Sequence, residues 1–107
     1  MANLITMMDN NRRYAFSIFL QKLKDLNKKD MIGIEIGCYA GESTELFVNS
    51  GLFKIFYGID PWENGYDPLD ITNDVVIPAE PVFDARFKGN TIIRKIKNKS
   101  ENVANNF

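Results

Sequence analysis

Three short apolar runs, each followed by a segment with helical spacing, constrain the fold of this chain more than any other feature. Residues 31–36 read MIGIEI, residues 53–59 read FKIFYGI, and residues 91–97 read TIIRKIK. Each run is too short for a stable helix and rich in isoleucine or phenylalanine, which predicts a strand. Asp60 and Pro61 stop the second. In the third, Ile interleaved with Lys and Arg predicts a strand with one wet face. Residues 42–50, ESTELFVNS, predict a helix, with Gly51 just past its end. Residues 81–88, PVFDARFK, predict a short helix, with Pro81 in its first turn, Gly89 beyond it and Val82, Phe83 and Phe87 on its apolar face. A last helix starts at Ser100, a capping residue type, with Val103 and Phe107 four apart. Alternating units of this kind predict an α/β fold, a parallel sheet with helices on both faces.

A further helix precedes these units. Over residues 10–27, Ala15, Phe19, Leu23 and Leu26 recur at helical spacing, with Phe16 and Leu20 beside them. Arg12, Gln21, Lys22, Lys24 and Asp25 take the wet side, and Asp9 or Asn10 can cap the start. Residues 63–78, rich in Asp, Asn, Gly and Pro, predict a loop. The 107 residues suit one small domain, divided into an N-terminal helical segment, 1–29, and an α/β unit, 30–107.

Composition removes several function classes. A net charge of −1 exerts no general pull on nucleic acid or membrane, and no apolar run is long enough to span a bilayer. The N-terminus lacks the basic start and apolar core of a signal peptide. A single cysteine forms no internal disulfide, which fits a reducing compartment, most simply the cytoplasm. Histidine is absent, so the commonest metal ligand and neutral-pH base are missing.

The first strand-to-helix turn reads GIEIGCYAGESTELF, residues 33–47. Ligands of open parallel sheets bind at the carboxyl ends of the strands. Gly37 follows the strand and Gly41 precedes the helix, so backbone can approach a ligand closely; a plain tight turn is the alternative. The pattern has neither the third glycine of a dinucleotide fingerprint nor the G-K-[ST] of a phosphate loop. Two acids sharpen the reading. Glu35, in an otherwise apolar strand, can accept from an ammonium group; otherwise it is a buried acid tied to a backbone amide or a nearby lysine. Asp60 closes the second strand, where α/β nucleotide sites hold a ribose diol; otherwise it caps the turn before Pro61. One acid for an amine and one for a ribose suit a ligand with an amino acid at one end and a nucleoside at the other.

IEIGCYAGEST followed by FYGIDPW resembles the class I S-adenosylmethionine-dependent methyltransferases. It is most similar to the small O-methyltransferases of the catechol type and the family-24 type. Their first motif, E-[IL]-G-x-Y-x-G-x-S, falls on Glu35, Gly37, Tyr39, Gly41 and Ser43. The resemblance implies that Glu35 and the backbone at Gly37 and Tyr39, helped by Ser43, hold the methionine part, and that Asp60 binds the ribose. It places Asn98 and Ser100 beside the adenine, although many relatives carry an acid where this chain has Lys99. Trp62 is either core packing or a wall of the adenine pocket. Tyr39 is similarly divided between packing and ligand contact. Cys38, without a histidine partner, reads as a packing residue rather than a nucleophile.

Seven acids and no Lys or Arg lie between Asp60 and Asp84. DPLDITND within them lacks the spacing of a calcium loop and reads as a solvated loop near a substrate entrance, so no metal ligands are assigned. The resemblance implies a Rossmann-like methyltransferase fold of about seven strands. It covers residues 30–107, with strands in the order 3-2-1, and places a fourth strand and the acceptor-binding residues after residue 107. The chain therefore reads as the S-adenosylmethionine-binding half of an O-methyltransferase acting on a small molecule or sugar, with catalytic residues unassigned. An inactive binding module and an NAD-binding fragment are the rivals. The open edge of the first strand predicts pairing with a second copy.

Overall fold

The computed structural model describes residues 9–63 and 79–107. The order of elements is α1 (Asn10–Asp25), β1 (Met31–Ile36), α2 (Glu42–Val48), β2 (Phe53–Asp60), α3 (Ala79–Arg86), β3 (Ile93–Lys97) and α4 (Ser100–Val103), closed by a 3-10 turn (Ala104–Asn106). The chain is thus α/β. Its three strands form one open sheet in the order β1-β2-β3, with both pairings parallel. Apart from Glu63, the loop expected over residues 63–78 lies outside the described residues, as does DPLDITND.

Register explains how the sheet is covered. Gly33, Phe56 and Ile93 are partners across the three strands, as are Glu35, Gly58 and Lys95, so these residues share one face. On that face Phe56 stacks on Phe47 of α2 at 5.7 Å, and Phe83 of α3 packs against Phe87 at 4.7 Å. Gly33 is required there, because a Cβ at this position would sit 2.3 Å from the Phe56 ring. Phe56, Phe83, Phe87, Val48 and Cys38 form the buried core. On the other face the ring of Phe107 meets Tyr57 at 5.0 Å and Val103 is buried. Helices therefore reach both faces, unequally: Ile32, Ile34 and Ile36 remain 58%, 48% and 66% exposed.

Asp9 is the cap of α1, its carboxylate accepting from the Arg12 N–H at 2.7 Å. The helix rests on α2 through Phe16, whose ring lies 5.3 Å from Phe47. One stripe, Phe16, Leu20 and Leu23, is covered as a result. Ala15, Phe19 and Leu26, expected on the buried face, are exposed, because a helix laid on one short helix buries only a narrow strip.

Several element ends differ by a residue or two from expectation, and at β3 and α4 a local cause is visible. The Asn90 side-chain oxygen accepts from the N–H groups of Ile92 and Ile93, so β3 starts at Ile93 rather than Thr91. Lys99, not Ser100, occupies the capping position of α4. The Asn98 side chain serves that end instead, accepting from the Lys99 N–H at 2.8 Å and the Asn102 amide at 3.0 Å.

The wet face expected of β3 is partly tied down. Lys95 pairs with Glu80 at 2.6 Å and Asp84 at 2.8 Å, and Lys97 pairs with Glu80 at 2.8 Å. Glu80 and Asp84, both on α3, are thus the ion-pair partners of β3. No helix among the described residues is long and apolar enough to cross a membrane.

Candidate functional site at the carboxyl end of the first strand

The β1–α2 turn is held from several sides. The Gly37 N–H donates to the Ile59 carbonyl at 2.8 Å, and the Gly41 N–H donates to the Cys38 carbonyl at 2.8 Å. Arg86 of α3, with its side chain 6% exposed, donates from Nε to the Ala40 carbonyl at 3.0 Å and pairs with Glu45 at 3.1 Å. Three residues of the turn adopt left-handed backbone: Gly37 at φ 83°, Tyr39 at 52° and Gly41 at 88°. For a tyrosine that conformation carries strain, and such strain persists only where surrounding bonds enforce it.

The two glycines have different jobs. A Cβ on Gly41 would meet the Phe87 ring at 2.7 Å and the Phe83 ring at 2.9 Å, so Gly41 lets α2 start against α3. A Cβ on Gly37 would meet nothing within 4 Å. The space beside Gly37 is open, and its backbone is accessible from the strand end.

Glu35 points from β1 toward the first turn of α2. The Ser43 hydroxyl donates to one carboxylate oxygen and the Thr44 hydroxyl to the other. Burial pushes the Glu35 carboxyl above its ordinary range; the two hydroxyl bonds oppose this, and the charge of Asp60 adds to it. Burial likewise raises the Cys38 thiol, which donates to the carbonyls of Glu35 and Ile59. Cys38 is 3% exposed, as a packing residue should be.

Asp60 ties the turn to the end of β2. One of its oxygens accepts from the Tyr39 N–H at 2.9 Å and the other from the Trp62 N–H at 2.7 Å. Trp62 has left-handed backbone at φ 48°. Its ring lies 4.9 Å from Phe83, its indole N–H donates to the Tyr39 carbonyl at 2.7 Å, and the Lys95 ammonium sits 5.0 Å over it. Trp62 is thus packed into the core and bonded to the turn.

A cavity of about 290 Å³ opens between the turn and α1. Glu35, Gly37, Tyr39 and Ser43 line it, so four of the residues singled out from the sequence converge on one space. Gly41, Asp60, Trp62 and Ser100 do not line it. Asp60 and Trp62 are instead bonded to the Tyr39 backbone. Asn98, next to Ser100, approaches Asp60 through its backbone, donating to the Asp60 carbonyl at 3.1 Å. Among the described residues no cluster of three His, Cys, Asp or Glu side chains could hold a metal ion.

Sequence reasoning missed Arg12 and Phe16 as cavity residues. Helical spacing put Arg12 on the wet side of α1 and Phe16 beside the apolar stripe. Nothing local signals that this helix crosses the strand end. No family model matches the chain, and no curated protein matches it.

Proposed function

We propose that this chain binds S-adenosylmethionine at the carboxyl end of β1, as the donor-binding part of an O-methyltransferase of Rossmann-like fold acting on a small molecule or sugar. The observation that carries the reading is Gly37. It combines left-handed backbone with open space on the side of a cavity that also holds the half-buried Glu35 carboxylate. A backbone that approaches a ligand needs a glycine there.

Glu35 receives the ammonium of the methionine part. Each carboxylate oxygen has two lone pairs, so the bonds from Ser43 and Thr44 leave acceptor capacity. Ser43 and the backbone at Gly37 and Tyr39 border the remainder of that part. Asp60 holds the ribose diol with the acceptor capacity left by its two N–H bonds, and Ser100 flanks the adenine. The sulfonium supplies an electrophilic methyl group. The contribution of these residues is orientation and proximity. The order β1-β2-β3 is compatible with the 3-2-1 half of such a fold.

Calorimetric titration with S-adenosylhomocysteine and with NAD tests the reading. Binding of the first and not the second is expected. A folded sample that fails to bind S-adenosylhomocysteine overturns it. Binding without methyl transfer to any acceptor identifies a binding module instead.

A further inference from the structure

The cavity beside the turn has a wall that the motif residues do not supply. Arg12 and Phe16 of α1 form it, lining the same space as Glu35 and Gly37. The two are one helical turn apart and so lie on one stripe of α1. Contact between Phe16 and Phe47 of α2 fixes that stripe over the turn, which carries Arg12 to the mouth of the cavity.

The charges in this space differ in how they are satisfied. Glu42 is near Arg13, at 3.9 Å. Glu35 accepts from the Ser43 and Thr44 hydroxyls. Among the described residues the Arg12 guanidinium has no acidic partner; the contact of Arg12 with the Asp9 carboxylate is made by its backbone N–H. The cavity lining thus presents a half-buried carboxylate, a planar cation and the bare backbone of Gly37. An α-amino acid group, with ammonium and carboxylate on one carbon, matches this pair of charges.

Resting on the donor-binding reading above, we propose that Arg12 binds the carboxylate of the ligand's amino-acid end while Glu35 takes its ammonium. Arginine suits the task because its donors form a fixed fork that matches a carboxylate. The N-terminal helix is then part of the ligand site, and the zwitterion bridges α1 and β1.

The test compares three ligands by calorimetry: S-adenosylhomocysteine, its carboxyl methyl ester, and 5′-methylthioadenosine, which lacks the amino-acid end. In Arg12→Met, affinity for S-adenosylhomocysteine should fall about tenfold or more, the scale of a lost charge-assisted hydrogen bond. Affinity for 5′-methylthioadenosine should be unchanged, and the methyl ester should bind both proteins with the same weakened affinity. Arg12→Lys should recover part of the loss. Equal binding of S-adenosylhomocysteine by Arg12→Met and the unaltered chain overturns the Arg12 assignment alone. So does a parallel loss for 5′-methylthioadenosine. If the unaltered chain, folded by circular dichroism, binds none of the three, the donor-binding reading fails and this inference with it.

Discussion

The carboxylate of Asp60 accepts the backbone N–H of Tyr39 at 2.9 Å, joining the end of β2 to the β1–α2 turn across 21 residues of sequence. Its second oxygen accepts from Trp62. One side chain thereby satisfies two N–H groups, both from residues with left-handed backbone. Asp60 therefore holds the turn in shape whatever else it binds.

Replacing this acid should cost stability as well as ligand affinity. Asp60→Ala leaves both N–H groups without that acceptor, and we expect a loss of about 1–3 kcal/mol in urea denaturation. Asp60→Asn keeps one acceptor oxygen and should lose less. A variant as stable as the unaltered chain would refute the structural role.

Glu35 should leave a signature in pH dependence. Its carboxyl is raised by burial above the ordinary value of 4.5. Between that value and the raised one, the folded state holds more protons than the unfolded state. Stability from this group therefore declines as pH rises through the window, and the deficit is complete above it. Glu35→Gln has no such titration, so its stability relative to the unaltered chain should improve with rising pH and then level off. Urea denaturation at a series of pH values measures this; a difference independent of pH would contradict it.

The two glycines of the turn should separate stability from binding. Gly37→Ala meets no neighbour and should cost only the left-handed backbone term, about 1–2 kcal/mol. Gly41→Ala carries the same term and also presses on Phe83 and Phe87, adding roughly 1–3 kcal/mol. S-adenosylhomocysteine binding should suffer in the folded Gly37→Ala variant, where the methyl group enters the space beside the cavity. Equal thermal stability of the two variants would count against this division.

Among the described residues β1 is an edge strand, and Ile32, Ile34 and Ile36 stand exposed on one of its faces. Such an edge favours pairing with another chain. Sedimentation velocity should show association that grows with concentration and weakens in the double variant Ile34→Lys, Ile36→Lys. A monomer at every concentration would argue against it.

Local pattern was a good guide wherever neighbouring residues decide the outcome. MIGIEI is β1 from end to end, because a short β-branched run has no helical alternative at that length. Asp9 caps α1, since its carboxylate needs only the N–H three residues on. Pattern was a poor guide to Phe19 and Leu26, whose spacing matches a buried face but which are 51% and 66% exposed. Spacing reveals that a helix has an apolar side, not how wide a partner it meets.

The sequence by itself determined the alternation of strands and helices, and with it a parallel sheet whose carboxyl end carries the Gly37–Gly41 turn. These follow from periodicity, turn chemistry and the handedness of crossover connections, all local or nearly so. Only the tertiary structure decided that Gly37 faces open space while Gly41 abuts two rings, and that Asp60 braces the turn. It alone brought Arg12 of α1 to the cavity wall. Those outcomes depend on where separate elements come to rest, which is set by ring packing among Phe16, Phe47, Phe56 and Phe83 rather than by any short stretch of chain.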